Sequence, residues 1–192
     1  METLEWAMAL LLNHPEALQK ARAEIDSYVS DRRLLQEDDL PRLPYLQAII
    51  SETLRVCPAT PLLVPRESHQ DCNVGGYRIP RGTMLLVNAW AIHRDPAVWA
   101  DPVEFRPERF VDGGGKKIIP FGMGRRRCPG DGLAMRVVGL VLGTMIQCFE
   151  WVRTGEELID MEETGGLTVR KANPLQVMCR PREAMVDVLS QA

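Results

Sequence analysis

The chain has 192 residues, is 45% hydrophobic and 26% charged, and has a formal net charge of −3. That length supports one sizeable domain with its own core, and the acidic balance excludes a general nucleic-acid binder, which needs a basic face. Five cysteines, at 57, 72, 128, 148 and 179, form no CxxC pair, so neither a disulfide framework nor a structural zinc site is expected.

No basic region of a secretory signal opens the chain. An amphipathic pattern is already under way at Leu4 without a cap before it, as in a chain that starts inside a helix. Residues 2–12 read as a helix, with Leu4, Met8, Leu11 and Leu12 on one face. Asn13-His14-Pro15 ends it, and Pro15 starts a second helix to about Val29, with Leu18, Ala21, Arg22 and Ile25 on a mixed face. A charged connector follows, Asp31-Arg32-Arg33 and then Gln36-Glu37-Asp38-Asp39, and reads as a solvated turn. Pro44 opens a third helix through about Val56, whose Leu46, Ile49, Ile50 and Leu54 face a core. Glu52 and Arg55 are neighbours on it, three residues apart. By itself such a pair is common, and on a surface it contributes at most about 0.5 kcal/mol.

Prolines 58, 61 and 65 force an extended stretch from Ala59 to Val64, ending at Arg66. Val74–Ile79 and Thr83–Asn88 flank Pro80-Arg81-Gly82 and predict a hairpin. Trp90 to His93 predicts a helical turn capped by Asn88, and His93-Arg94-Asp95-Pro96 a turn. Phe105-Arg106-Pro107-Glu108-Arg109-Phe110 alternates charge with aromatics and proline, and Asp112-Gly113-Gly114-Gly115 is a loop tip.

The most informative stretch is Phe121-Gly122-Met123-Gly124-Arg125-Arg126-Arg127-Cys128-Pro129-Gly130. An apolar helical pattern follows from about Asp131 to Phe149, so the loop hands Cys128 to a helix N-terminus. Positive charge and the helix dipole there favour a thiolate. Clustered guanidinium groups need anions. The combination predicts a thiolate metal ligand beside an anion site. The helix is apolar on most faces and is expected to be largely buried. Its longest apolar run, Val137 to Ile146, is shorter than the ~20 residues of a membrane span. Leu158–Met161, Gly166–Arg170 and Leu175–Cys179 predict strands, with a turn at Asn173-Pro174.

Three motifs thus stand in fixed order: Glu52-x-x-Arg55, Phe105-x-Pro107-x-Arg109-Phe110, and Phe121-x-x-Gly124-x-Arg126-x-Cys128-x-Gly130. Together they resemble the C-terminal part of a cytochrome P450, a haem-thiolate monooxygenase, of the plant microsomal type, over essentially the whole chain. The resemblance implies a mainly α fold with small β-sheets. It would run from the end of a long central helix, through the haem-ligand loop and a buried helix, to terminal β hairpins. Residues 1–192 would be the haem-binding portion of the domain, with its N-terminal half absent.

The resemblance also implies roles. Cys128 would be the proximal thiolate on the haem iron, with Gly124 and Gly130 letting backbone N–H groups approach the sulfur. Phe121 would pack beside the haem, and Arg126 and Arg66 would bind its propionates. Glu52, Arg55 and Arg109 would form a buried triad holding the loop. Ala59, Thr60, Leu62, Leu63 and Val64, with Gly166 and Leu167, would line the substrate pocket. The implied reaction inserts one oxygen atom of O2 into a lipophilic substrate. Electrons would come from NADPH through a reductase docked on the Cys128 side, near Arg125, Arg127 and Lys116-Lys117. The full-length parent would sit on the cytosolic face of the endoplasmic reticulum membrane. No catalytic acid–threonine pair is matched. Glu2-Thr3 adjoins Leu4-Glu5-Trp6-Ala7, whereas the family's pair lies about a turn and a half earlier, so it reads as a helix-end surface pair. An alternative reading is a truncated, inactive product that at most binds haem, with apolar faces exposed over 4–12 and 133–149. A phosphatase-type Cys-x5-Arg is excluded by spacing, because the sixth residue after Cys128 is Ala134.

Overall fold

The computed structural model describes residues 2–30, 32–111 and 118–191. The glycine tip at 112–115 and the Lys116-Lys117 pair lie outside the described residues. In chain order the elements are α1 (Glu2–Asn13), α2 (Pro15–Tyr28), a 3-10 turn over Glu37–Arg42, and α3 (Pro44–Val56). Then come β1 (Arg66–Glu67), β2 (Cys72–Val74), β3 (Tyr77–Ile79), β4 (Met84–Leu85), α4 (Ala89–Ile92) and α5 (Glu108–Val111). A 3-10 turn over Gly124–Arg126 precedes α6 (Asp131–Cys148), and β5 (Phe149–Arg153), β6 (Val177–Pro181) and α7 (Val186–Leu189) complete the set.

The core lies where α1, α2, α3 and α6 meet. Every residue of α1 from Trp6 to Leu12 is buried there, which corrects the expectation of an exposed apolar face over 4–12. Proline at the first helical position starts both α2 and α3, where the missing N–H costs nothing. No side chain beside Pro44 caps α3. Glu24 of α2 does so from outside: its carboxylate oxygens accept from the backbone N–H groups of Tyr45 at 2.8 Å and Leu46 at 2.9 Å. A carboxylate at a helix N-terminus satisfies free donors and complements the dipole.

Helix α6 departs from the expectation of a largely buried helix and agrees in part with the alternative of an apolar face exposed over 133–149. Its buried residues are Gly139, Leu142, Gly143, Ile146, Gln147 and Cys148, all in its second half. Leu133, Val137 and Val141 are exposed, because at i, i+4 and i+8 they form a stripe turned away from α1, α2 and α3. Among the described helices α6 alone is long and apolar enough to cross a membrane, with a mean hydropathy of 1.3 over its 18 residues. Its place in the core accounts for the apolarity of its second half only, since 33% of those 18 residues are buried. Gln147 ties it to the connector, accepting from Leu35 N–H at 2.9 Å and donating to the Arg33 carbonyl at 3.0 Å.

Gly143 marks the closest approach within this core. A Cβ there would lie 2.6 Å from Leu35 Cδ2 and 3.0 Å from Leu46 Cδ2. Both leucines are buried, so a shift of either must displace other core side chains. Overpacking of about 1–3 kcal/mol should therefore outweigh the ~1 kcal/mol that alanine gains over glycine in a helix. Gly143→Ala is expected to lower the urea midpoint. Gly132→Ala in the same helix meets open space and should raise it. A rise for both would mean that the leucines yield.

Among the described residues the sheets are three, each two-stranded and antiparallel. The expected hairpin across Pro80-Arg81-Gly82 is replaced by two other pairings. β2 pairs with β3 around Gly75-Gly76, with Val74 opposite Tyr77. Both glycines have positive φ, +57° and +88°, as a tight two-residue turn requires. β4 pairs instead with β1, Arg66 opposite Leu85. Near the C-terminus, β5 pairs with β6 in the register Phe149 with Pro181 to Arg153 with Val177, so the helix stops at Cys148 rather than Phe149. The stretches 158–161 and 166–170 form no strand, apart from an isolated Glu163–Lys171 bridge nearby. Asn13 explains the first: its side chain accepts from Ile159 N–H at 2.8 Å and donates to Ile159 C=O at 2.9 Å, taking the groups a ladder would use.

Candidate functional site

Helical spacing places Glu52 and Arg55 on the inner side of α3, both 0% exposed. Arg55 grips Glu52 as a fork: Nε donates to Oε2 and Nη2 to Oε1, each at 2.7 Å. Glu52 Oε1 also accepts from the Arg106 backbone N–H at 2.8 Å and from Arg109 Nε at 3.1 Å. The other donors of Arg55 reach the carbonyls of His93 (2.8 Å), Pro102 (2.6 Å) and Glu104 (2.9 Å). Arg109 Nη1 donates to Ala100 C=O at 2.7 Å. The indole of Trp99 lies 5.3 Å from the Arg55 guanidinium. One ion pair thus fastens α3, the end of α4, the 100–106 stretch and α5 together, with its buried polar atoms satisfied.

Helix α4 is the next link. Asn88 caps it, its side chain accepting from Ala91 N–H at 2.9 Å. His93 follows it and is 0% exposed. Its Nε2 accepts from the backbone N–H of Ile119 at 2.8 Å, just ahead of the cysteine loop. Burial, with the Arg55 charge next in weight, pulls its pKa down from the ordinary 6.5 to about 4, so the ring is neutral. In sequence His93 stands in a turn pattern, and nothing local distinguishes it from an ordinary turn residue. The Glu24 cap of α3 was likewise invisible, since its partners are more than twenty residues away.

The loop from Phe121 to Gly130 folds back on itself. Cys128 N–H donates to Phe121 C=O at 2.9 Å, and Gly122 N–H to Ile119 C=O at 2.9 Å. The reversal needs positive φ at Gly122 (+73°) and Gly124 (+71°). Phe121 packs against the core, while Cys128 is exposed at the start of α6. Gly130 is the N-cap of that helix, and a Cβ there would lie 3.9 Å from Cys128 Sγ. Arg66 reaches across from β1 and donates from Nη2 to the Arg126 carbonyl at 2.9 Å. Arg127 pairs with Asp131 one turn on. The guanidinium groups of Arg125 and Arg126 meet no anion among the described residues, although both residues are exposed beside Cys128.

The other stretches singled out by sequence divide. Val169 N–H donates to Ala59 C=O at 3.0 Å, which joins the 59–64 stretch to the 166–170 stretch. Ala59 and Thr60 are half-buried and Gly166 is exposed. Leu63 has a left-handed φ of +53°, and its Cδ1 lies 3.9 Å from where a Gly122 Cβ would stand, against the cysteine loop. Leu62, Val64 and Leu167 are exposed at 42%, 66% and 62%. Glu2 of the Glu2-Thr3 pair bonds Arg170 at 3.2 Å.

Similarity to known proteins agrees with this architecture. The cytochrome P450 family pattern matches residues 1–178, and the chain belongs to that family. Cytochrome P450 81Q32 of Catharanthus roseus is 61% identical over 191 residues, covering 98% of this chain and 38% of the relative. The (+)-piperitol/(+)-sesamin synthase CYP81Q2 of Sesamum radiatum is 56% identical, with the same coverage of 98% and 38%. An isoflavone 2'-hydroxylase of Glycyrrhiza echinata is 48% identical, again over 98% and 38%. A zebrafish cytochrome P450 solved with abiraterone superposes with a TM-score of 0.89 at 37% identity, covering 95% of this chain and 44% of its own. The chain spans 38% of the length of these curated relatives.

The family's cofactor is a thiolate-ligated haem, and the donor set here fits it. Among the described residues no cluster of three His, Cys, Asp or Glu could hold a bare metal ion. An exposed cysteine offers a single ligand, which suits an iron already held by a macrocycle. Anionic side groups on that macrocycle suit the free arginines beside it.

Proposed function

We propose that residues 1–192 are the haem-holding portion of a plant-type cytochrome P450 monooxygenase. One observation carries the reading: an exposed cysteine at a helix N-terminus, its loop closed by Cys128 N–H on Phe121 C=O, stands beside the guanidinium groups of Arg125 and Arg126, which meet no anion among the described residues. Cys128 holds the iron. Arg126 and Arg66, drawn together by the bond to the Arg126 carbonyl, take the propionates. Phe121 packs beside the ring near the thiolate. Gly124 and Gly130 give the loop its turn and a close N-cap. Glu52, Arg55 and Arg109 hold the loop's support rigid. Ala59, Thr60, Leu62, Leu63 and Val64, with Gly166 and Leu167, present an apolar surface to a lipophilic substrate.

When bound, thiolate-ligated haem supplies the activation of O2 that places one oxygen atom in substrate and releases the other as water. Electrons come from NADPH through a reductase on the Cys128 side, where Arg125, which meets no anion among the described residues, offers positive charge to an acidic partner. Arg127 offers less, because Asp131 already neutralises it. The parent enzyme works at the cytosolic face of the endoplasmic reticulum membrane. The names of two relatives, a piperitol/sesamin synthase and an isoflavone 2'-hydroxylase, agree with oxidation of a lipophilic small molecule.

The test is spectroscopic. Haem added to the purified chain, reduced under CO, is expected to give the red-shifted Soret band of a thiolate ligand, and Cys128→Ser to remove it. A band that survives the substitution overturns the assignment.

A further inference from the structure

Between the buried ion pair and the cysteine loop runs a short series of hydrogen bonds. Arg55 Nη1 donates to His93 C=O at 2.8 Å. Ile119 N–H donates to His93 Nε2 at 2.8 Å. Gly122 N–H donates to Ile119 C=O, and Cys128 N–H to Phe121 C=O, each at 2.9 Å. His93 is the only side chain in this series apart from Arg55, and it stands where the two halves meet. Its backbone serves the ion pair and its ring serves the loop.

We propose that His93 is a positioning residue for Cys128, its imidazole anchoring the base of the cysteine loop to the Glu52–Arg55 pair. The inference rests on the reading of Cys128 as the haem ligand. The geometry requires one tautomer. Since Nε2 accepts, the proton is on Nδ1, which meets no acceptor among the described residues. A buried N–H without a partner is costly, so the ring holds its place for what Nε2 does. Burial first, and then the positive charges of Arg55 and Arg94, keep the ring neutral and able to accept. If the ring is lost, Ile119 N–H loses its acceptor among the described residues. The loop could then drift at its base while its own internal bonds stay intact.

Three variants separate this role from simple packing. His93→Phe fills the ring's volume and cannot accept. His93→Gln places an acceptor near the position of Nε2, and His93→Asn places one too short to reach. In the haem-loaded, CO-bound reduced chain, His93→Phe is expected to lower the ratio of red-shifted to unshifted Soret absorbance about tenfold, equivalent to about 1.4 kcal/mol. In the haem-free chain it should speed hydrogen exchange at the Ile119 amide about tenfold, and His93→Gln should restore both readings to within about twofold. An unchanged ratio and unchanged exchange in His93→Phe overturn the proposal. If His93→Phe does not fold, the other pair decides: Gln above Asn supports the anchor, and equal ratios overturn it. A parent chain that shows no red-shifted band with Cys128 intact refutes the ligand reading instead, and the Ile119 exchange rates still judge His93.

Discussion

Glu52→Gln is expected to lower the unfolding free energy by about 3–5 kcal/mol, because it leaves a buried guanidinium without its counter-charge. In a chain of this size that corresponds to a fall of about 6–20 °C in Tm. The asymmetry of the triad makes Glu52 its most sensitive member. Glu52 is the single anion facing two cations, Arg55 at 2.7 Å and Arg109 at 3.1 Å. The side chains of Glu52 and Arg55 are 0% exposed, so water cannot take over. Arg109 is different. Its side chain is 11% exposed, and its loss leaves Glu52 still forked by Arg55 and bonded by Arg106 N–H. Arg109→Gln should therefore cost clearly less. Urea unfolding of both variants tests the ranking. Equal losses would overturn the ranking, and a Glu52→Gln loss below about 1 kcal/mol would reduce the triad to the value of a surface ion pair.

This ranking could not be read from spacing. Glu-x-x-Arg fixes two neighbours on a helix, and the sequence shows that much. What converts an ordinary pair into a sensitive one is the set of carbonyls at His93, Pro102 and Glu104, which lie 38, 47 and 49 residues beyond Arg55. The same division runs through the whole chain. Helices α1, α2, α3 and α6 are legible because apolar periodicity and Pro15 and Pro44 act locally. The cysteine loop is legible because its glycines, arginines and cysteine sit within ten residues. Strand pairing is not local. Gly75-Gly76 and Pro80-Arg81-Gly82 are two competing turn signals eight residues long in all, and only the partner strand β1 decides between them. The 158–161 stretch has the apolar residues of a strand, yet Asn13 takes its backbone 146 residues away. Apolar composition also fails to say which face of α6 is covered, so it supports both a largely buried helix and a face exposed over 133–149, and Leu133, Val137 and Val141 take the second course. His93 was missed for the same reason as the carbonyls: its partner, Ile119, lies 26 residues on.

Acidification is expected to destabilise the chain in two stages, the first governed by His93. Its folded pKa of about 4 lies below the ordinary 6.5, so the unfolded chain binds a proton that the folded chain refuses. The stability this represents is complete above pH 6.5 and is lost as pH falls towards 4. At 1.36 kcal/mol per pH unit the interval amounts to about 3 kcal/mol. Protonation would remove the acceptor for Ile119 N–H and set a third cation beside Arg55 and Arg94. The second stage belongs to Asp39. Its hydrogen-bonded ion pair with Arg33 holds its pKa at about 2, against an ordinary 3.8, so its contribution persists below pH 4 and fades towards 2. That contribution is smaller, since the Arg33 side chain is 40% exposed and water screens the pair. The measurement is the urea midpoint at intervals from pH 7.5 downwards, for the parent chain and for His93→Gln. Glutamine keeps an acceptor and cannot titrate, so the variant should lose the decline between 6.5 and 4 and keep the one below. Two profiles that run parallel above pH 4 would show that His93 takes up no proton on unfolding, and would remove it as the source of acid sensitivity.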